Sequence, residues 1–126
     1  MRTTLKKILI VDDDMRNVYA LSTAIESEYA EIISAADGKE SLEMLKQHTD
    51  TNLVLMDIMM PEMDGYEAMK RIRNELHLKE LPIIALTAKA MEGDREKCIA
   101  SGASDYITKP VDIQKLITMI KSWLSK

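Results

Sequence analysis

Reactive side chains stand directly after four of the five short apolar segments in this 126-residue chain. Three acids follow the first segment, one acid the third, a hydroxyl the fourth and a lysine the fifth: Asp12, Asp13, Asp14, Asp57, Thr87 and Lys109. A single acid in such a position is usually a solvated loop residue. Acids, a hydroxyl and a lysine at four segment ends are poorly explained in that way, and they indicate a functional site.

The chemistry follows from bringing these groups together. If the first and third segments are neighbouring strands, their carboxylates meet within about 5 Å, and each like-charge pair costs roughly 3 kcal/mol at an effective dielectric constant near 20. A cation must neutralise such a cluster, and a few hard oxygen ligands favour Mg²⁺. Lys109 adds a second positive charge. Metal, ammonium and hydroxyl around one carboxylate predict a phosphoryl-transfer site with Asp57 as nucleophile.

The elements that would position these groups appear as alternating apolar and amphipathic segments. Strand-like segments lie at 7–11, 31–35, 53–56, 82–86 and 105–108. Apolar residues recur at helical spacing after each of them, most clearly at Ile113, Leu116, Ile117, Ile120 and Leu124. Five β–α units predict an α/β fold, a doubly wound parallel five-stranded sheet with helices on both faces. In such sheets the functional site lies beyond the carboxyl ends of the strands.

Several residues predict where helices begin and end. Asp37 with Glu40 predicts a capping box, Asp112 predicts an N-cap, and Gly102 predicts the end of the fourth helix. Asp14, the third acid of its run, is interpreted as a solvated loop residue with no metal role.

Composition argues against several other classes of protein. The chain is 46% hydrophobic and 30% charged, which fits one domain over residues 1–126. A net charge of −4 gives no indication of nucleic-acid binding. No apolar run approaches the roughly 20 residues of a membrane span, and no signal peptide is visible. The single cysteine, Cys98, fits a reducing compartment. We therefore expect a cytoplasmic domain without nucleic-acid or membrane contact.

Four motifs resemble the receiver domain of two-component response regulators over essentially the whole chain. They are ILIVDDD at 8–14, LVLMDIMMPEMDG at 53–65, PIIALTA at 82–88 and GASDYITKP at 102–110. Each is moderately specific, and the four in this order at these spacings are very specific. The resemblance implies a flavodoxin-like fold with strand order 2-1-3-4-5. It extends to free-standing receivers and to those of hybrid histidine kinases.

The resemblance also implies a role for each matching residue. Asp57 matches the phosphoacceptor. Asp12 and Asp13 match the acidic pair that holds Mg²⁺, with Asp13 as the direct ligand. The backbone carbonyl of Met59 matches the third protein ligand of the metal. Lys109 matches the lysine that contacts the phosphoryl group.

Two further residues match the switch of such domains. The Thr87 hydroxyl is expected to follow the phosphoryl group, and the ring of Tyr106 to turn as the threonine moves. The surface formed by helix 4, strand 5 and helix 5 then changes shape. The Lys109–Pro110 bond is expected to be cis, because Lys109 must turn back towards Asp57 and proline lowers the cost of that isomer.

The expected function is a phospho-accepting signalling switch of a two-component phosphorelay. A sensor histidine kinase or a histidine phosphotransfer protein would donate the phosphoryl group, and the reader of the switched surface is unknown. The domain would catalyse only its own phosphorylation and slow dephosphorylation, so it is not expected to be an enzyme in the ordinary sense.

Two other classes remain to be distinguished from this one. A phosphohydrolase similar to the haloacid dehalogenases shares an Asp-x-Asp motif, but Arg16 and the Thr87–Ala88–Lys89 stretch depart from that pattern. A non-phosphorylated scaffold with a receiver fold typically lacks an acid or the lysine, and both are present here. An assay with a small phosphodonor distinguishes the three classes. Stoichiometric labelling would identify the switch, and multiple turnover would identify the hydrolase. Absence of labelling would identify the scaffold.

Overall fold

The computed structural model describes residues 6–26, 30–88 and 94–125, and it contains five strands that alternate with five helices. Along the chain they are β1 Lys6–Val11, α1 Met15–Ile25, β2 Ala30–Ala35, α2 Gly38–Gln47, β3 Thr51–Asp57, α3 Gly65–Asn74, β4 Ile83–Thr87, α4 Asp94–Ser101, β5 Asp105–Thr108 and α5 Ile113–Leu124. All neighbouring strands pair in parallel in the order β2-β1-β3-β4-β5. The predicted fold class and strand order are therefore confirmed.

Four of the five strands differ slightly from their predicted bounds: β1 and β2 each begin one residue early, and β3 and β4 differ at both ends. β3 extends to Asp57, which pairs with Leu86, so the acid belongs to the strand and does not merely follow it. β4 begins at Ile83 because Pro82 has no N–H to donate to the ladder, although its carbonyl accepts from Val54 N–H at 2.9 Å.

The sheet is buried on both faces, as the unbroken apolar runs predict. Ile8 and Ile10 of β1 contact the helices of one face, whereas Leu9 and Val11 contact those of the other. α1 and α5 cover the first face with Val18, Leu21, Ile25, Leu116 and Ile120. α2, α3 and α4 cover the second with Leu42, Leu45, Met69, Ile72 and Cys98. Each of these buried Val, Leu, Ile and Met side chains contributes about 1.5–3 kcal/mol, and the two cores fix the strand ends in space.

Most of the predicted helix boundaries are confirmed. The Asp37 and Asp112 side chains cap α2 and α5 by accepting from backbone N–H groups three residues later. Glu40 completes only part of the predicted capping box, because its carboxylate accepts from Ala36 N–H. α4 ends at Ser101, and Gly102 follows with a φ of 123°, in the region that favours glycine.

Asp14, expected to be a solvated loop residue with no metal role, has a structural role at the start of α1. It is the N-cap of α1, and its Oδ1 accepts from Arg16 N–H at 2.9 Å. The cap satisfies a backbone donor that the first turn of the helix leaves without a partner. Asp14 therefore fixes the start of the helix that follows the acidic run.

One side chain connects α3 to the loops before β4 and β5, and another connects α5 to β5. At the edge of the sheet where strands begin, the half-buried Arg73 donates to the carbonyls of Leu78 and Gly102. Burial lowers the pKa of this guanidinium. Trp123 of α5 donates its indole N–H to Asp105 Oδ2 at 3.1 Å. No helix within the described ranges is long and apolar enough to cross a membrane.

Candidate functional site

Asp57 occupies the carboxyl end of the central strand β3 and is only 3% exposed. Its Oδ1 accepts from Lys109 Nζ at 3.0 Å and from Met59 N–H at 3.3 Å. The buried run 53–56 holds the backbone of this acid in the sheet, so its carboxylate has little freedom to move. One ammonium and one amide thus converge on a single buried carboxylate oxygen.

Asp12 follows β1, the neighbour of β3, and is 1% exposed. Its Oδ1 accepts from Asp14 N–H at 2.9 Å, whereas its Oδ2 is buried and has no hydrogen-bond partner within the described part of the chain. Lys109 Nζ lies 3.8 Å from that oxygen, too far for a hydrogen bond. Because a buried, unsatisfied carboxylate oxygen is costly, this atom is well placed to bind a cation.

Asp13 completes a group of three acids. Oxygen atoms of Asp12, Asp13 and Asp57 all lie within 4.8 Å of one another, and Asp13 is the exposed member. Three carboxylates with one open side and a buried oxygen without a partner fit a hard divalent cation such as Mg²⁺. The donor set contains oxygen only, which fits Mg²⁺ better than a softer metal.

The electrostatics of Asp57 fit the same conclusion. Burial raises the pKa of its carboxyl above the ordinary value, and the nearby charge of Asp12 raises it further. The hydrogen bond and the charge of Lys109 act in the opposite direction and only partly offset this effect. The carboxylate of Asp57 therefore favours additional positive charge beside it.

Lys109 reaches the site because of how the chain leaves β5. Its backbone N–H donates to Thr87 O at 2.7 Å, which joins the ends of β4 and β5. The Lys109–Pro110 peptide bond is cis, the isomer expected from the sequence. The side chain is 28% exposed, so its ammonium faces Asp57 from the partly open side of the site.

Thr87 and Tyr106 lie on the strands next to Asp57. Thr87 ends β4 and is 4% exposed, one residue beyond Leu86, the register partner of Asp57. Tyr106 is half-buried in β5 and packs against the core under α2, α3 and α4. The strand pairing thus places Thr87 on β4, next to the strand of Asp57, and Tyr106 on β5, one strand further away.

The structure brings together the predicted acids and the lysine, and it places the backbone of Met59 against Asp57. The Met59 side chain is 69% exposed. The sequence did not reveal the role of Gly65, whose N–H donates to Ile58 O at 2.9 Å and closes the loop after β3. In the sequence, the dipeptide Asp64–Gly65 indicates a turn but not this contact.

Comparison with known families gives the class of this protein. Residues 8–121 match the family described as the response regulator receiver domain. The chain belongs to this family, whose members are the phosphoacceptor domains of two-component signalling and bind Mg²⁺ at an acidic site.

Individual relatives resemble the chain over nearly all its length. The polar-differentiation response regulator DivK of Brucella ovis is 37% identical over 119 residues, 94% of this chain and 96% of the relative. A receiver domain of a Pseudomonas aeruginosa sensor histidine kinase, with a magnesium ion coordinated in its active-site cleft, is 32% identical, with a TM-score of 0.87 and coverage of 98% and 100%. CheY in a CheX–CheY–BeF3–Mg complex from Borrelia burgdorferi is 33% identical, with a TM-score of 0.87 and coverage of 96% and 90%.

Proposed function

We propose that this chain accepts a phosphoryl group on Asp57 and thereby switches the surface formed by α4, β5 and α5. The observation that carries the proposal is the pair of buried carboxylates, Asp12 and Asp57, that share the Lys109 ammonium. Such an arrangement leaves one nucleophilic oxygen beside positive charge, which is what phosphoryl transfer requires. The acidic cluster and the magnesium in a relative's cleft support the same function.

Each side chain has a distinct part in the transfer. An oxygen of Asp57 attacks phosphorus, the bond from phosphorus to the donor's imidazole nitrogen breaks, and the imidazole leaves with that electron pair. Mg²⁺, held by Asp12, Asp13, Asp57 and the Met59 carbonyl, would supply positive charge to the phosphoryl oxygens. The Lys109 ammonium remains beside the new acyl phosphate and balances its charge.

The switch begins with the charge that transfer adds. The Thr87 hydroxyl donates to a phosphoryl oxygen, and Tyr106 on the next strand moves into the space that Thr87 leaves. α4 and α5, which flank β5 in the chain, then change their exposed surface. One phosphoryl group suffices when the two states differ by only a few kcal/mol.

The surroundings of the site favour a protein as phosphodonor. Met15 and Tyr19 of α1 and Met59 are 62%, 73% and 69% exposed, and these large apolar side chains lie on elements that lead out of the site. A mainly apolar groove of about 240 Å³ between α1 and the start of α5 reaches Asp12 and Lys109. These features support docking of a sensor histidine kinase or a histidine phosphotransfer protein.

Intact-mass measurement after incubation with acetyl phosphate and Mg²⁺ tests the function. The wild type should gain one phosphoryl group and Asp57→Asn none. Asp50→Asn is the matched control, because Asp50 is an exposed acid paired with Lys7 near the opposite edge of the sheet. Unlabelled wild type would contradict the function, and a labelled Asp57→Asn would contradict the residue assignment.

A further inference from the structure

The loop between β3 and α3, residues 58–64, is closed at its base by Gly65. A methyl group on Gly65 would lie 2.5 Å from the carbonyl oxygen of Asp57 and 2.7 Å from Ile58 Cα. Real Cβ atoms essentially never approach other heavy atoms closer than 3.0 Å. Both atoms belong to the backbone, so a side chain at Gly65 cannot be accommodated by a change of rotamer. The backbone of the phosphoacceptor itself must move.

Packing holds the rest of the loop. Met60 is 7% exposed and belongs to the core under α2, α3 and α4. Met63 lies against Gly38 at the start of α2, where a methyl group would come within 2.9 Å of Met63 Sδ. Sδ is near the end of a flexible side chain and can yield. The backbone atom met there, the Met63 carbonyl oxygen, is 3.0 Å away, whereas the backbone atoms met at Gly65 are 2.5 and 2.7 Å away. The tightest constraint on the loop therefore lies at its base, next to Asp57.

We propose that Gly65 is a positioning residue for phosphoryl transfer, because its lack of a side chain sets where Asp57 and the Met59 carbonyl lie relative to each other. The inference rests on the proposed function of Asp57. Asp57 and Met59 are two residues apart, and both are joined to Ile58. The Ile58 carbonyl accepts from Gly65 N–H, and a methyl group on Gly65 would lie 2.7 Å from Ile58 Cα. A shift of Ile58 therefore moves both.

The expected loss of Mg²⁺ affinity and phosphorylation rate follows from how little displacement of its ligands a magnesium site tolerates. Mg²⁺ demands nearly ideal octahedral geometry with short bonds to oxygen. Relieving the contact with the Asp57 carbonyl requires several tenths of an ångström of backbone movement. A misplacement of about 1 Å costs on the order of 100-fold in rate, so we expect Gly65→Ala to lose about tenfold or more in both Mg²⁺ affinity and phosphorylation rate.

Gly102→Ala is the matched control, because it is another crowded glycine at the far edge of the sheet. Its φ is 123°, and a methyl group there would lie 2.9 Å from Arg73 Cγ. Both variants should lower the melting temperature. At a temperature where circular dichroism shows each variant to be folded, only Gly65→Ala should lose Mg²⁺ affinity and phosphorylation rate with acetyl phosphate.

The outcomes separate the two proposals. Wild-type phosphorylation kinetics in folded Gly65→Ala, or an equal loss in Gly102→Ala, would overturn the positioning role. An unlabelled wild type would instead defeat the proposed function. Should Gly65→Ala fail to fold, the Gly65 amide signal of the wild type decides. It should shift on Mg²⁺ titration with the same midpoint as Asp57, and an unmoved Gly65 signal would overturn the inference.

Discussion

The Lys109 ammonium lies 3.0 Å from Asp57 Oδ1. The same ammonium is 3.8 Å from Asp12 Oδ2, so it stands between two buried carboxylates. This lysine therefore stabilises the acidic cluster, and in the proposed function it would also balance the charge that arrives with the phosphoryl group. The two roles have opposite consequences for the metal, because an ammonium that neutralises the acids also repels Mg²⁺.

Lys109→Met should separate these roles. Phosphorylation by acetyl phosphate should slow by about tenfold or more, because positive charge beside the phosphoryl oxygens is lost. Mg²⁺ should bind more tightly than to the wild type, because the competing ammonium is gone. Mass-spectrometric time courses and calorimetric titration check the two effects, with the exposed Lys115→Met as control. Weaker Mg²⁺ binding would show that the ammonium does not compete with the metal.

Asp13→Asn should raise thermal stability and lower Mg²⁺ affinity at once. Asp13 is the exposed acid of the cluster, so solvent screens its repulsion, and we expect a gain of about 1 kcal/mol or a few degrees in melting temperature without metal. Glu43→Gln on the exposed side of α2 is the control. An unchanged Mg²⁺ affinity would remove Asp13 from the metal ligands.

Thr87→Ala should accept phosphate but fail to transmit the change to Tyr106. In the proposed function the hydroxyl acts after transfer, whereas Lys109 serves the transfer itself. Amide chemical shifts around Tyr106, recorded before and after phosphorylation, provide the measurement, and Thr118→Ala on the exposed side of α5 provides the control. Shift changes equal to those of the wild type would rule out coupling through Thr87.

Asp14→Ala should lower the melting temperature by about 3 °C at neutral pH, because α1 loses its cap. Hydrogen bonds from the side chain and the backbone of Arg16 hold the pKa of Asp14 below its ordinary value. A depressed folded-state pKa gives stability that is present above the unfolded pKa and lost as pH falls. The difference from the wild type should therefore narrow below about pH 4.

Asp14→Ser is the matched variant for this test, since serine retains the capping oxygen without the charge. Its melting temperature should stay close to that of the wild type at neutral pH. As the pH falls, it should decrease less than that of the wild type. A difference between wild type and Asp14→Ala that persists unchanged to pH 3 would contradict a contribution from the charged cap.

The sheet could be predicted because the hydropathy pattern of each segment is visible within a short stretch of the sequence. Uninterrupted apolar runs at β1 and β3 and helical spacing in α5 are visible in single windows of the sequence. The residue at which a strand ends is harder to predict. Hydrogen-bonded pairing with β4, and not hydropathy, makes Asp57 part of β3. The membership of Asp57 in the strand matters, because it explains why so little of this acid is exposed.

The reactive side chains of the site could be predicted from the sequence. The residues that hold their backbone in place could not. Asp57 and Lys109 carry chemistry that can be recognised by residue type, together with the strand ends that gather them. Asp14 was not recognised as a cap because it closes a run of three acids, and its type alone cannot separate a metal ligand from a helix cap. Gly65 has no side chain to mark its role, and only the distance to the Asp57 carbonyl reveals it.

The contact between Trp123 and Asp105 gives the protein an optical reporter of its own. Trp123 is the one tryptophan in the sequence, and its indole N–H donates to the residue directly before Tyr106. Indole emission depends on the polarity and hydrogen bonding of its surroundings. Any movement of β5 against α5 should therefore alter the fluorescence of the unlabelled chain. Rapid mixing with a phosphodonor could then follow the arrival of the switched state in real time.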